Sequence, residues 1–227
     1  MHTYSVDKDL RAKVVVVIFG LSMIMSLLFN KYCAGIIDAI VNFLKSSDIK
    51  AIVELLEWWG VGPNFLGVPI WYAIFTKIYD LWLWKCWPIS RWHGIPDLNG
   101  EWKGTLESSF DDNKIPMKMQ VNQTWKKISF RCRFKDTKSS SYSSVAAIHV
   151  DGNNGTEIHF NFRNNSKSVK DRLQSYDGYN IMELIDGDTI EARYFNNRDN
   201  PNPACKGGNK GSFELKRVKK TKKSKQK

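Results

Sequence analysis

Apolar positions follow one another without interruption in the first part of the chain and alternate with polar positions in the second. Residues 14–29 contain no charged side chain, and with their flanks, at about 12–30, they approach the roughly 20 residues that an α-helix needs to cross a bilayer. A secretory signal peptide is the competing interpretation, but the run is long and no clear small-x-small cleavage site follows it. The pattern therefore predicts a retained transmembrane helix.

A second apolar segment, at about 65–87, is rich in tryptophan and tyrosine, which favour membrane interfaces. It contains Lys77 and Asp80, which would lie on one face of a helix. Either these side chains line an assembly surface between subunits, or the span ends before them and both lie at the interface. Residues 35–59 have helical periodicity and predict an amphipathic helical loop that joins the spans. Residues 1–95 are thus predicted to form a membrane region with two transmembrane helices.

Short alternating runs separated by turn signals fill residues 96–217, the predicted ligand-sensing domain. Eight consecutive strands with mostly short connections favour a meander that closes on itself, because closure leaves no sheet edge exposed. The predicted fold class is therefore a membrane-anchored all-β protein, with two N-terminal transmembrane helices followed by a compact eight-stranded antiparallel up-and-down β-barrel. The strands are expected at about 99–108, 115–122, 127–135, 142–150, 155–163, 176–184, 188–196 and 210–217.

The first strand of this region begins in a motif with two glycines around one tryptophan. In an eight-strand meander the first strand starts, and the last strand ends, at the same end of the barrel. Trp102 is therefore expected at the end that receives the chain from the second span. We predict that Trp102 plugs this end of the barrel as a structural residue. The motif is Asp97-Leu98-Asn99-Gly100-Glu101-Trp102-Lys103-Gly104.

Strand direction places a different group of side chains at the opposite end of the barrel. In the seventh strand the inward-facing positions become polar at Tyr194 and Asn196, with Arg198 just beyond. An aromatic, polar mouth with an arginine can stack a base and hold a phosphate. For any single residue, the alternative is an ordinary solvated rim. The candidate ligand-binding residues are Ser108, Phe162, Tyr176, Tyr194, Asn196 and Arg198.

The net charge of +11 lies mostly in the last residues of the chain. Residues 216–227 carry eight basic and no acidic side chains, whereas residues 95–215 carry seventeen basic and sixteen acidic ones. Since a domain that holds long nucleic acid needs its own basic face, we expect no long nucleic acid partner. Residues 218–227 are predicted to form a disordered polybasic tail that contacts anionic lipid headgroups or is merely solubilising.

The sequence contains no glycine-rich phosphate loop, no Gly-x-Ser-x-Gly motif and no histidine-rich cluster. Its four cysteines are far apart, form no Cys-x-x-Cys pair and are predicted to be reduced. We therefore expect no enzymatic activity, no cofactor and no metal site.

Two N-terminal spans, a tryptophan-rich second span and the barrel-opening motif around Trp102 form a recognisable combination. It resembles the two-transmembrane, β-strand-rich effectors of bacterial cyclic-oligonucleotide anti-phage systems (CBASS), over nearly the whole chain. The resemblance implies a lipocalin-like barrel that binds a cyclic dinucleotide made by a partner nucleotidyltransferase after phage infection. It also implies that binding drives homo-oligomerisation, and that the transmembrane region then disrupts the inner membrane and kills the infected cell.

The flanking charges give a predicted orientation. Lysines and arginines flank the outer sides of both spans, and the loop between the spans has more acids than bases, so both chain ends are expected in the cytoplasm. The predicted location is the bacterial inner membrane, crossed twice, with inner membrane lipids as partners. The alternative function is a membrane-tethered, lipocalin-like carrier or sensor of an apolar ligand, and a membrane-anchored hydrolase is a third, less favoured class.

Overall fold

The structure is a computed structural model in which contacts divide the chain into two compact units, residues 10–84 and residues 1–9 with 85–227. Each unit is considered by itself. The structure describes residues 1–8, 10–32, 63–109, 114–135, 139–152, 155–165, 175–197 and 209–219, and six isolated positions between 35 and 51.

The unit of residues 10–84 contains two long helices, α1 (Arg11–Tyr32) and α2 (Pro63–Leu81). They pack together, with the rings of Phe29 and Trp71 edge to face at 5.7 Å. Ser26 is buried, and a Cβ on Gly67 would lie 2.6 Å from the Ser26 Oγ, so glycine permits this close approach. In the described part of the chain, α1 is the one helix long and apolar enough to cross a membrane. The predicted loop helices at 35–59 fall mostly outside the described residues.

The larger unit is mainly β-sheet, as predicted. After a short 3₁₀ turn (Leu83–Lys85) and helix α3 (Ile89–His93), strands β2 to β9 follow in chain order. Each pairs antiparallel with the next, and β2 pairs with β9, so the strands form a closed barrel. The strand bounds are β2 Gly100–Ser108, β3 Lys114–Gln123, β4 Lys127–Phe134, β5 Ser140–Gly152, β6 Gly155–Asn165, β7 Tyr176–Leu184, β8 Thr189–Asn196 and β9 Lys210–Arg217.

A ninth strand, β1 (His2–Val6), corrects the predicted count of eight. It inserts between β4 and β5, which pair directly only farther along, from Arg131 to Arg133. It runs antiparallel to β4 and parallel to β5, whose ladder shifts register between Ser143 and Ala146. From the sequence these residues are predicted as part of the membrane region, because five residues beside an apolar helix give too little alternation to predict a strand.

The barrel interior is filled by apolar side chains. Phe130 and Phe160 stack at 4.3 Å between ring centroids in the middle of the barrel. This dense packing supplies the hydrophobic stabilisation of the domain and favours a core over a cavity for an apolar ligand. The largest fully buried apolar side chains of the barrel are Trp102, Met119, Ile128, Phe130, Ile148, Ile158, Phe160, Met182, Ile190 and Leu215.

Two of the four cysteines, Cys86 and Cys132, lie in the described part of the chain, and Cys132 is a free, buried thiol. Burial raises the pKa of the Cys132 thiol to about 12, so this thiol stays protonated and unreactive at neutral pH. Cys33 and Cys205 lie outside the described residues.

Candidate functional site

Trp102 lies at the end of the barrel where β2 begins, here called the linker end. Its ring is fully buried, and Nε1 donates a hydrogen bond to the Leu98 carbonyl oxygen at 3.0 Å. Leu98 is also fully buried, and its N–H donates to the Gln123 Oε1 at 2.8 Å. These hydrogen bonds join Trp102, the linker and strand β3 and satisfy the Trp102 indole N–H, whereas the Gln123 Nε2 has no partner.

Arg217, the last residue of β9, covers the same tryptophan from outside. Its guanidinium carbon is 4.2 Å from the Trp102 ring centroid. The same guanidinium donates to the carbonyl oxygens of Asp97 and Asn99, each at 2.8 Å, and Nε pairs with Asp188 at 3.1 Å. The planar cation therefore ties the linker, the β7–β8 turn and β9 together over the indole face. All these groups are engaged with one another, which makes the linker end a closed, structural end.

The opposite end, here called the far end, brings together three of the six candidate ligand-binding side chains. Phe162 on β6 meets Tyr176 on β7 and Tyr194 on β8, both edge to face, with centroid distances of 6.3 Å and 6.5 Å. Phe162 and Tyr194 are buried inside the wall, whereas Tyr176 is half-buried at the rim. The three rings form an aromatic group with a surface on which a planar base can stack.

Two glycines determine how these rings lie. Gly178 is opposite Phe162 in the β6–β7 ladder, and a Cβ there would collide with the tip of that ring and lie 2.6 Å from the Phe195 carbonyl oxygen. Gly211 is opposite Tyr194 in the β8–β9 ladder, and a Cβ there would lie 2.8 Å from the tyrosine Oη. Each ring therefore leans across a neighbouring strand that carries no side chain at that position.

The remaining candidates border this aromatic group. Asn196 is opposite Gly178 in the β7–β8 ladder, and Ser108 is opposite Gly211 in the β2–β9 ladder. Both side chains are half-buried at the ends of their strands. Arg198 lies outside the described residues, so five of the six candidates can be placed and all five are at the far end.

Asn180 is a further candidate at the far end, which the sequence patterns did not single out. It lies between Phe160 and Tyr194 in register and is 5% exposed. No hydrogen bond of its side-chain amide occurs among the described residues, although the nearby Asn164 amide donates to the Ser141 Oγ at 3.0 Å. A buried amide without a protein partner offers one donor group and one acceptor to a ligand. Met182 faces inward, and every second residue of a strand faces the same side, so the parity of β7 would have identified Asn180 as the next inward position.

Charged groups surround the far end on its outer face. Arg163 on β6 forms a two-point ion pair with Asp177 on β7, with N–O distances of 2.8 Å and 3.0 Å. This pairing raises the pKa of Arg163 and lowers the pKa of Asp177. An open groove of about 800 Å³ extends outside the wall from Tyr194 and Ser108 to the exposed side chain of Phe195 and to Arg193. A polyanion that extends over the rim into this groove would contact the guanidinium of Arg193.

In the described part of the chain, no group of three or more His, Cys, Asp or Glu side chains is placed to bind a metal. The groups at the far end can stack on a base, hydrogen-bond through an amide and contact an anion through arginine at the rim.

Comparison with known proteins shows which family the chain belongs to. A family model described as the Cap15 cyclic dinucleotide receptor domain matches residues 93–217. CD-NTase-associated protein 15 of Yersinia aleksiciae is 28% identical over 158 residues, which are 68% of this chain and 70% of that protein. The chain therefore belongs to the Cap15 family, and the resemblance to CBASS effectors stated from the sequence is confirmed. The matched segment begins in α3 and ends with β9, so β1 lies outside it.

Proposed function

We propose that the chain is an effector of bacterial anti-phage signalling whose barrel binds a cyclic dinucleotide at the far end. The observation that carries this proposal is the aromatic group of Phe162, Tyr176 and Tyr194 around the unpartnered Asn180 amide, in a chain of the Cap15 family. At the linker end, by contrast, the Trp102 ring is fully buried and covered by Arg217, so its face is not accessible to a ligand.

Each far-end residue has a role in this proposal. The rings stack on the bases, and Asn180 donates to and accepts from a base edge, as asparagine does in nucleotide recognition. Ser108 and Asn196 hydrogen-bond at the rim, and Arg198 holds a phosphate. The filled barrel interior makes the alternative, a carrier of an apolar ligand, a poorer fit. We further propose that the protein is not an enzyme and needs no cofactor.

We also propose that the protein spans the inner membrane twice, with the N-terminus and the barrel in the cytoplasm. Strand topology supports this: β1 precedes α1, β2 follows α2, and both strands belong to one barrel. If α1 crosses a membrane, the chain must cross back before residue 100. Among the described residues, the helix placed for this return is α2, whose 19 residues include Lys77 and Asp80. We assign these two side chains to the membrane interface or to contacts between subunits.

Ligand binding is proposed to drive homo-oligomerisation, which gathers the spans and disrupts the inner membrane, killing the infected cell. A ligand shifts self-association only if it binds the assembled state better than the monomer. The ligand is expected from a partner nucleotidyltransferase, and the polybasic tail is assigned to anionic lipids of the same membrane.

The test is calorimetric titration of the full-length protein in lipid nanodiscs with cyclic di-AMP, cyclic di-GMP and cyclic GMP–AMP. We expect at least one to bind, and Tyr194→Ala to weaken that binding at least tenfold. Trp92→Ala is the control, because this ring is 54% exposed on α3 and does not line the far-end groove. Binding of none of the three, or equal loss in both variants, would contradict the assignment of the site to the far end.

A further inference from the structure

The outer wall of the barrel carries four glutamates in directly opposed positions on four neighbouring strands. Glu157 is opposite Glu183, Glu183 is opposite Glu191, and Glu191 is opposite Glu214. Their chain neighbours Ile158, Met182, Ile190 and Leu215 are buried, so the glutamates point outward. Neighbouring strands are about 4.8 Å apart, which places four carboxylates within roughly 15 Å. We call these residues the acidic row.

A row of opposite charge begins on β9 itself and continues across β2, β3 and β4. Lys216 is opposite Lys103, Lys103 is opposite Lys118, and Lys118 is opposite Arg133. All four side chains are exposed, because Trp102, Met119 and Cys132 occupy the inward positions between them. We call these residues the basic row.

Within one barrel these charges are only partly neutralised. Glu214 pairs with Lys216 at 3.4 Å and Lys103 with Glu101 at 3.0 Å, which are exposed contacts along a strand that contribute little, and the Glu157 carboxylate is 3.3 Å from the His159 Nε2. Among the described residues, no ion pair involves Glu183, Glu191, Lys118 or Arg133. Like charges directly opposite on neighbouring strands destabilise a sheet, so both rows carry an electrostatic cost that an oppositely charged surface would relieve.

We infer that the acidic row of one copy docks on the basic row of a second copy. Both rows contain four charges at the same strand spacing, so the fold presents two complementary surfaces on one chain. The two surfaces differ, so the contact is head to tail and propagates into a ring or an open chain rather than stopping at a dimer. Since both rows point outward, the contact leaves the far-end mouth accessible. This inference rests on the proposed assembly of copies and names its surfaces.

Two charge-reversed full-length variants test the inference. Glu183→Lys with Glu191→Lys makes both surfaces basic, and Lys118→Glu with Arg133→Glu makes both acidic. Association in nanodisc-free detergent solution is measured by sedimentation velocity, with and without the three cyclic dinucleotides named above. We expect each variant alone to associate at least tenfold more weakly than the unaltered protein, because like charges then face each other. We expect an equimolar mixture of the two variants to assemble again.

The controls separate the possible failures. Lys126→Glu with Lys127→Glu changes the charge by the same amount outside both rows and should leave association unchanged. Calorimetry at protein concentrations where each protein is monomeric should give the same cyclic dinucleotide affinity for both variants and the unaltered protein; if the unaltered protein itself binds none, the proposed function fails rather than the docking surfaces. Retained association in both reversed variants, no assembly in their mixture, or no association of the unaltered protein overturns the inference. Loss of binding to anionic vesicles without loss of association would assign the basic row to lipid instead.

Discussion

The two ends of the barrel use aromatic side chains in opposite ways. At the linker end one tryptophan is fully buried, its N–H is hydrogen-bonded and its face is covered by Arg217. At the far end three rings meet only edge to face around an asparagine whose amide has no hydrogen bond among the described residues. The first arrangement encloses Trp102 completely, although the Gln123 Nε2 beside it has no hydrogen bond, whereas the second leaves polar and aromatic surface at the rim for a ligand.

We therefore expect the linker end to contribute mainly to the stability of the barrel and the far end mainly to ligand binding. A buried, fully partnered side chain contributes to the free energy of unfolding, and its loss affects every property of the domain. An amide with no hydrogen bond to the protein adds little to stability and can pair with a ligand. Substitutions at the linker end should therefore act on unfolding, and those at the far end on ligand affinity.

The largest effect on stability is expected for Trp102→Ala. Removal of a fully buried indole should lower the free energy of unfolding by about 3–5 kcal/mol, through lost burial and the cavity left behind. Trp92→Ala is the control, because that ring is 54% exposed on α3. Denaturant unfolding of the full-length protein measures both. A folded Trp102→Ala variant of normal stability that has lost ligand binding would reverse the roles of the two ends.

Gly178→Ala should disturb the far end by steric overlap. The added methyl group overlaps Phe162 and the Phe195 carbonyl oxygen, so the ring or strand must move, at a cost of about 1–3 kcal/mol. We expect the displaced ring to weaken cyclic dinucleotide binding at least tenfold. Gly20→Ala is the control, because nothing lies within 4 Å of the added atom. If Gly178→Ala loses stability as expected but binds the cyclic dinucleotide with unchanged affinity, Phe162 is not part of the binding site.

Asn180→Leu sharpens the comparison within the far end itself. Leucine has a similar volume and buries no polar group, so the midpoint of thermal unfolding should stay constant or rise while ligand affinity falls at least tenfold. Asn164→Leu is the matched variant: it removes the hydrogen bond to Ser141 and should cost about 1 kcal/mol. A clear loss of stability in Asn180→Leu would mean that this amide has a structural partner.

The smallest effect is expected at the junction of β1 and α1. The Asp7 carboxylate accepts from the N–H groups of Val150 and Lys8, at 3.0 Å and 2.8 Å. Burial alone would raise the pKa of Asp7, but these backbone hydrogen bonds together lower it. Its stabilising contribution is therefore present above the ordinary aspartate pKa of about 4 and is lost as pH falls through the lower pKa of the folded state.

Asp7→Asn should accordingly lower the thermal midpoint slightly at neutral pH and leave it unchanged in strong acid. Melting curves from neutral pH down to about pH 2, below the ordinary aspartate pKa, measure the difference between the two proteins. A difference that grows on acidification would contradict the assigned role of the carboxylate in holding β1 to β5.

Local patterns determined how much of the fold was predictable. The alternation of β3, β4 and β6 and the Asp-Gly turns predicted the strands from Gly100 to Arg217 to within about two residues, because each side chain's face depends only on parity. Strand β1 could not be predicted, since its pairing with β4 and β5 is a contact across more than a hundred residues. A segment of five residues contains no pattern that identifies a pairing strand so far along the chain.

The candidate site was predictable for a related reason. Strand direction placed Phe162, Tyr176 and Tyr194 at one end, and the rings meet there. Asn180 was missed because a polar residue in an inward position interrupts the apolar pattern that identifies inward faces. Gly178 and Gly211 were missed because their importance comes from the rings that lie across them, which no local pattern predicts.

The measurement that tests the central claim most directly is photo-crosslinking of the full-length protein with a photoreactive analogue of its tightest-binding cyclic dinucleotide, followed by mass spectrometry of the labelled peptides. Labels on β7 and β8 around Asn180 and Tyr194, competed by unmodified ligand, are the predicted result. Competed labels confined to the linker end, on Asp97, Gly187 or Arg217, would contradict the assignment of ligand binding to the far end.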